Sequence, residues 1–150
     1  MPNHENIKNP LISVIIINFN GKDYLLDCID SVFKSINCNY EVLLIDNNSS
    51  DNSSELCKEK YSEIRLFCND KNLAMAARNT GIDEAKGNFM AFLDADTVVE
   101  PNWLEILLDS YKKHGRGLYQ GKLLLKNNHS IIDTCGNMTN IFGTGFARGK

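Results

Sequence analysis

The chain has 150 residues, of which 43% are hydrophobic and 23% charged, a balance that suits one globular domain with a sizeable core. Its net charge of −3 comes from acids and bases mixed along the sequence, so nothing electrostatic favours a nucleic acid partner. No stretch approaches the ~18 apolar residues of a membrane span, and the opening "MPNHENIKNP" lacks the apolar centre of a secretory signal. The cysteines Cys28, Cys38, Cys57, Cys68 and Cys135 are scattered and form no C-x-x-C pair, which reads as reduced thiols in a cytoplasmic protein.

Residues 1–10 read as a polar tail. "LISVIIIN", Leu11 to Asn18, is continuously apolar and β-branched, as expected of a strand buried on both faces of a parallel sheet. The spacing of Leu25, Cys28, Ile29, Val32, Phe33 and Ile36 predicts a helix over 23–36. A second apolar strand runs from Glu41 to Asp46. The polar turn "NNSSDNS" follows, in which Asp51 or a neighbouring serine can cap the helix "SSELCKEKY". "IRLFCN", Ile64 to Asn69, is a third strand. "LAMAARNTGIDEAKG" is helical and ends at Gly87, a natural residue just past a helix end. "NFMAFLD", Asn88 to Asp94, is a fourth strand. Pro101 stands where a helix can begin, and "NWLEILLDSYKKHG" carries it to Gly115.

Strands alternating with helices predict an α/β fold, a mostly parallel open sheet with helices on both faces. Beyond Gly117 the pattern changes. "LYQGKLLLKNNHSIID" reads as a C-terminal antiparallel hairpin joined at Asn127 and Asn128, and the glycine-rich "CGNMTNIFGTGFARGK" as a mobile loop.

In open α/β sheets ligands bind beyond the carboxyl ends of the strands. Three polar clusters fall at such ends: "NFNG" (Asn18 to Gly21), "DNNSSD" (Asp46 to Asp51) and "DAD" (Asp94 to Asp96). Residues i and i+2 of a strand share a face, so Asp94 and Asp96 would repel there unless a cation sat between them. A hard divalent ion, Mg²⁺ or Mn²⁺, resolves the repulsion, because such ions are held by one or two carboxylates together with substrate phosphates. The alternative is a chance D-x-D in which Asp96 caps a turn with Thr97. Asp46 and Asn47 suit the edge of a pyrimidine or a ribose, or else supply only turn chemistry. Asn18 and Asn20 divide in the same way between ligand and loop, and Phe19 between a stacked base and the core. Arg78 can reach a diphosphate at the sheet edge or pair with Asp83 or Glu84. His4, His114 and His129 are isolated in polar surroundings, and Trp103 reads as a packing anchor.

Taken as a set, these segments resemble the family 2 glycosyltransferases of the GT-A fold, a Rossmann-like architecture. The likeness rests on "ISVIIINFNG", "VLLIDNNSSDNS", "NLAMAARNTGIDEAKG" and "FMAFLDADTVVEPNWLEIL", in matching order from Ile12 to Leu107. "DNNSSDNS", "DADTVVEPNW" and the glycine-rich stretch are most similar to the rhamnosyltransferase-type branch. The resemblance implies an inverting, metal-dependent transfer from a UDP- or dTDP-sugar to a glycan or lipid-linked acceptor. It implies nucleotide contacts from Phe19, Asn20 and Asp46, with Asn47 beside them in a position where many members carry a second Asp. Asp94 then lies near the ribose and metal, and Asp96 on the metal.

Members also carry a catalytic Asp or Glu well after the D-x-D, which deprotonates the acceptor hydroxyl. Here only Glu100, Glu105, Asp109 and Asp133 follow Asp96, and none sits in that motif. The expectation is a nucleotide-sugar-binding domain over 11–150 that stops before the acceptor half, with the catalytic base beyond residue 150. Peripheral association with the inner face of a membrane would also come from that missing part. Two readings compete. "FLDADTV" also resembles the first motif of haloacid-dehalogenase-type phosphatases, although that motif belongs on a first strand. The other is a non-catalytic nucleotide-sugar-binding module. No G-x-G-x-x-G follows the first strand and no Walker A is present, which disfavours dehydrogenases and P-loop enzymes.

Overall fold

The computed structural model of the chain describes residues 8–125, 128–134, 137–139 and 145–147. They divide between two compact units, Met1–Leu108 and Asp109–Lys150.

The first unit is built on a four-stranded sheet of β1 (Leu11–Asn18), β2 (Asn39–Asp46), β3 (Arg65–Cys68) and β4 (Phe89–Asp94). The order is β3-β2-β1-β4 and every neighbouring pair is parallel. Its helices are α1 (Leu25–Val32), α2 (Ser53–Lys60), α3 (Ala77–Glu84) and the first half of α4 (Trp103–His114), whose second half belongs to the other unit, with a short 3₁₀ turn at Ala74–Ala76. Alternate strand residues face opposite sides, and each side has its own core. Ile12, Val14 and Ile16 of β1, with Val42, Leu44 and Ala91, pack on Leu25, Cys28, Ile29 and Val32 of α1, Cys57 of α2 and Leu104 of α4. Ile15, Leu43 and Ile45 face the other way, onto Ala77 of α3. Helices therefore cover both faces, and the apolar run of β1 is explained by burial from both sides. Gly81 lets α3 approach closely, since a Cβ there would lie 2.3 Å from Ile15 Cγ2.

The strand order sets up the site. From β1 the sheet steps outward through β2 to β3, while β4 lies on the opposite flank of β1. The topological switch therefore falls between the carboxyl ends of β1 and β4, where a crevice opens.

Two helical boundaries differ from expectation. α1 covers Leu25–Val32 rather than 23–36, and 3₁₀-type bonds from Lys34 and Ser35 to Ser31 and Val32 tighten its end. α3 stops at Glu84, and Ala85 is extended, so Gly87 does not end the helix. Close approach explains Gly87 instead: a Cβ there would lie 2.5 Å from Ser13 N. Its N–H donates to Ser13 Oγ at 2.8 Å.

In the second unit Gly115, with φ 83°, follows the end of α4 as expected. The antiparallel pair β5 (Leu123–Leu125) and β6 (Asn128–Thr134) matches the anticipated hairpin, though residues 126–127 at its turn lie outside the described residues. The tail holds a second antiparallel pair, β7 (Asn137–Thr139) and β8 (Gly145–Ala147), where the sequence suggested only a loop. Three residues per strand are too few for period-2 alternation to register, and the rest of the tail lies outside the described residues. Among the described residues, no helix is long and apolar enough to cross a membrane.

Candidate functional site

The crevice at the switch point has a volume of about 310 Å³. Ile17, Phe19, Asn20, Gly21 and Tyr24 line it from β1 and the loop into α1, and Asp94, Ala95 and Asp96 from the end of β4. Phe19 is 51% exposed, so it is not a core residue. Asp94 closes β4, but Asp96 lies in the following turn, held by Thr97 N–H donating to Asp94 O at 3.0 Å. The strand argument for a shared face therefore fails for Asp96, and the turn brings it to the same crevice instead.

Arg78, from the first turn of α3, reaches this rim. Its Nη2 donates to Asp94 Oδ1 at 2.7 Å. The alternative partner Glu84 is taken by Arg65, at 3.5 Å. Beneath the pair lies Cys28, whose Sγ donates to Asp94 O at 3.8 Å. Burial, then the charge of Asp96, pushes the Cys28 thiol up to about 12, which makes it an inert neutral group rather than a nucleophile.

Among the described residues, no cluster of three or more His, Cys, Asp or Glu could hold a metal. The protein side of a metal site would thus be Asp94 and Asp96 alone. That donor set fits a hard divalent ion, because two exposed carboxylates leave the remaining positions to water and phosphate oxygens. It does not fit zinc, which favours a closed set of nitrogen and sulfur ligands in structural sites.

Behind the crevice lies a buried polar cluster formed by Asn18, Asp46 and Asn47. Asn18 Nδ2 donates to Ser53 Oγ at 2.8 Å and Ser54 Oγ at 2.9 Å, with Ser49 Oγ at 3.2 Å and Asp46 Oδ1 at 3.3 Å also in reach. Its Oδ1 accepts from Gly21 N–H at 3.1 Å. A Cβ on Gly21 would lie 2.3 Å from that oxygen, so the turn requires glycine there. Asp46 accepts from Ser54 Oγ at 2.7 Å on Oδ1 and from Ser49 N–H at 2.9 Å on Oδ2. Burial alone would raise its pKa. The hydrogen bonds from Ser49, Ser54 and Asn18 outweigh burial and hold it below the usual carboxylate range.

Asn47 Oδ1 accepts from Leu73 N–H at 2.9 Å and Asn69 Nδ2 at 3.2 Å, and its Nδ2 donates to Asn72 Oδ1 at 2.8 Å. Both acceptor positions of that oxygen are filled, so Asn47 braces the 69–73 loop and has no lone pair left for a base. Three further bonds join the two loops: Asn20 N–H to Ser49 Oγ, Ser50 N–H to Asn20 Oδ1 and Lys22 N–H to Asp51 Oδ2. Asp51 also accepts from Ser53 N–H at 3.1 Å, supporting the start of α2, although the residue in the cap position is Asn52.

The fold therefore gathers Phe19, Asn20, Asp94 and Asp96 around one crevice and joins Arg78 to it through Asp94. Asn18, Asp46 and Asn47 stand behind as support. The sequence reading missed Tyr24, which lines the crevice beside Phe19. It was absorbed into the polar start of α1, and the available signal was an aromatic three residues beyond Gly21. The serines that hold Asp46 were read only as turn, cap and helix residues.

Comparisons with known proteins agree with this geometry. The pattern of the family described as Glycosyl transferase family 2 matches residues 13–133. Glycosyltransferase GlyA of Streptococcus pneumoniae serotype 4 is 34% identical over 129 residues, covering 83% of this chain and 18% of that protein. The Escherichia coli UDP-Glc:alpha-D-GlcNAc-diphosphoundecaprenol beta-1,3-glucosyltransferase WfgD is 34% identical over 124 residues, covering 81% of this chain and 49% of that protein. Among solved structures, S. aureus TarS 1–349 in complex with UDP-GlcNAc superposes with a TM-score of 0.63 at 22% identity, over 77% of this chain and 41% of that one. Mannosyltransferase PcManGT from Pyrobaculum calidifontis, in complex with GDP-Man and Mn²⁺, gives 0.56 at 21% identity, over 61% of this chain and 29% of that one. The chain spans less than half the length of each of these proteins. The solved structures show the fold to be GT-A-like, and the family match shows the lineage: this chain belongs to glycosyl transferase family 2.

Proposed function

We propose that this chain is the donor-binding part of an inverting, metal-dependent glycosyltransferase that moves a sugar from a UDP- or dTDP-sugar to a glycan or lipid-linked acceptor. The observation that carries the reading is the crevice at the β1–β4 switch point, with aromatic rings on one wall and two carboxylates on the other. The base stacks on Phe19 or Tyr24. Asp46 stands behind them, buried and held by Ser49, Ser54 and Asn18, so its contact to the imide N–H shared by uracil and thymine requires the Ser49 loop to yield one of its bonds. The ribose and diphosphate run past Asn20 toward Asp94 and Asp96. Those two carboxylates hold Mg²⁺ or Mn²⁺, which when bound neutralises the charge of the departing diphosphate. Arg78 adds a guanidinium matched to phosphate oxygens.

Inversion requires the acceptor hydroxyl to attack the face opposite the leaving diphosphate and to give its proton to a carboxylate. Asp94 and Asp96 are the carboxylates lining the crevice, and both serve the diphosphate side. Glu105 accepts from Asn37, and Asp109 pairs with Lys112. We place the base on an acceptor-binding part rather than in the donor crevice, whose two carboxylates both serve the diphosphate side. The names of the relatives support the substrate classes: WfgD uses UDP-Glc and a diphosphoundecaprenol-linked acceptor and TarS is seen with UDP-GlcNAc, while PcManGT, seen with Mn²⁺ and a guanine donor, GDP-Man, supports the metal alone. A lipid-linked acceptor would place the enzyme in the cytoplasm at the inner face of the membrane. "DNNSSDNS" favours the rhamnosyltransferase-type branch. The phosphatase alternative falls with the family assignment.

Calorimetric titration of UDP and dTDP tests the reading. Affinity should fall about tenfold or more when EDTA replaces Mn²⁺, as loss of a charge-neutralising ion implies. Asp96→Ala should remove most of that difference. Equal affinity with and without metal in the wild type overturns the proposal.

A further inference from the structure

The contact between Arg78 and Asp94 has a consequence for how the crevice fills. Asp94 Oδ1 already holds a cation, the Arg78 guanidinium, at 2.7 Å. A divalent ion arriving at Asp94 meets like charge competing for the same carboxylate. The guanidinium is weakly held elsewhere. Its Nη1 donates to Met75 Sδ at 3.2 Å, a poor acceptor, and Met75 itself is 74% exposed. The segment that presents Arg78 is anchored from the nucleotide side. Asn47 Oδ1 accepts from Leu73 N–H, and Asn72 Oδ1 accepts both from Asn47 Nδ2 and from Ala74 N–H at 2.8 Å, where Ala74 takes a left-handed φ of 48°. Arg78 is therefore positioned between two anions: the Asp94 carboxylate it holds now and the diphosphate that would lie beside it.

We propose that Arg78 is a resident counter-cation that yields Asp94 to the metal only when a nucleoside diphosphate offers the guanidinium a new partner, so that metal and nucleotide bind cooperatively. The inference rests on the donor-site reading above. It assigns Arg78 a positioning role, by exchange of partners, rather than a fixed phosphate contact.

The signature is a pair of effects of opposite sign. In the wild type, Mn²⁺ alone should bind weakly, and UDP should raise its affinity more than tenfold after correction for Mn²⁺ held by free UDP. In Arg78→Met, Mn²⁺ alone should bind about two- to fivefold tighter, the range expected for release of an exposed ion pair. Mn²⁺ with UDP should bind about tenfold weaker, because a charge-assisted phosphate contact is gone. The enhancement should therefore collapse. Calorimetry of Mn²⁺, UDP and both together, with the free-Mn²⁺ electron paramagnetic resonance signal as a second readout, measures each corner. Arg78→Gln provides the same comparison with a polar side chain, in case the methionine variant folds poorly. If both affinities fall together, or Mn²⁺ alone is unchanged in the variants, the exchange is refuted while the donor site stands. If the wild type takes up no UDP under any condition, the donor-site reading itself falls.

Discussion

Asn18→Asp is a nearly isosteric change at the centre of the buried cluster, and its effect can be worked out in both size and sign. It replaces an amide nitrogen with an oxygen 3.3 Å from Asp46 Oδ1. The neighbouring hydroxyls offer little relief, since Ser54 already donates to Asp46 and Ser53 to Asp51. Two charges at that distance repel by about 5 kcal/mol at an effective dielectric constant near 20. The pair must therefore take up a proton. Protonating a carboxyl of ordinary pKa near 3.9 at pH 7 costs about 4 kcal/mol, which caps the electrostatic loss.

The pH dependence then inverts. In the wild type the folded pKa of Asp46 is depressed, so its contribution is complete above the unfolded pKa and is lost only as pH falls through the folded one. Between pH 7 and 5 that contribution changes little. In Asn18→Asp one folded pKa is raised, so the folded state binds one more proton than the unfolded state across this window. Stability should rise by about 1.4 kcal/mol per unit as pH falls, or about 2.7 kcal/mol from pH 7 to 5. Urea unfolding at pH 5, 6 and 7 measures this, with Asn18→Ala as a control whose stability should be low but should run parallel to the wild type. An Asn18→Asp curve that also runs parallel to the wild type would refute the contact between Asn18 and Asp46.

Two further outcomes follow from the same geometry. Gly81→Ala should lower the melting temperature without changing UDP affinity: a Cβ 2.3 Å from buried Ile15 costs about 1–3 kcal/mol, more than the ~1 kcal/mol gained in helix propensity. A stabilised variant would show that α3 packs less closely than described. The chain alone should bind donor yet transfer sugar slowly, since a positioned base contributes about 10² to 10⁴ in rate and, among the described residues, the crevice presents none beyond Asp94 and Asp96. Radiolabelled transfer to a lipid-linked acceptor near one turnover per second would contradict that.

The parallel core was legible because burial on both faces writes itself into β1 as an unbroken apolar run, and β1 occupies Leu11–Asn18, as read. The positions of the polar clusters at strand ends were legible for the same reason, since strand direction fixes which end collects them. What lay hidden depended on third partners. Gly87 looks like a helix terminator until Ser13 is placed beside it. Asn47 looks like an acceptor for a base until the 69–73 loop folds over and fills both acceptor positions of its oxygen. Asp96 was given the face of a strand that had been read as ending at Asp94, and the turn that follows brings it to the crevice by another route. Tyr24 was hidden by its neighbours, whose helical spacing drew it into α1.

The two aspartates that end strands on either flank of β1 show how one edge of a sheet can serve two purposes. Asp46 pairs in register with Asn18 and is buried, its charge held by serine hydroxyls and a backbone amide. A carboxylate so fixed cannot follow a moving ligand, and in the proposed donor site it holds the loop beside the base in a constant place. Asp94 pairs in register with Ile17 one step nearer the strand start, its side chain 66% exposed and held by a single flexible arginine. That carboxylate can change partners at little cost, as the proposed exchange between Arg78 and a metal ion requires. Both residues owe their positions to β1, whose end carries Asn18 toward the first and Phe19 and Asn20 toward the second. A strand shift that moved β1 by one residue would put Ile17 where Asn18 meets the serines and would dismantle both halves together. The polar residues of β1 oppose such a shift, because it would take Ser13 from Glu41 and Asn18 from the serines and leave buried polar groups unpaired.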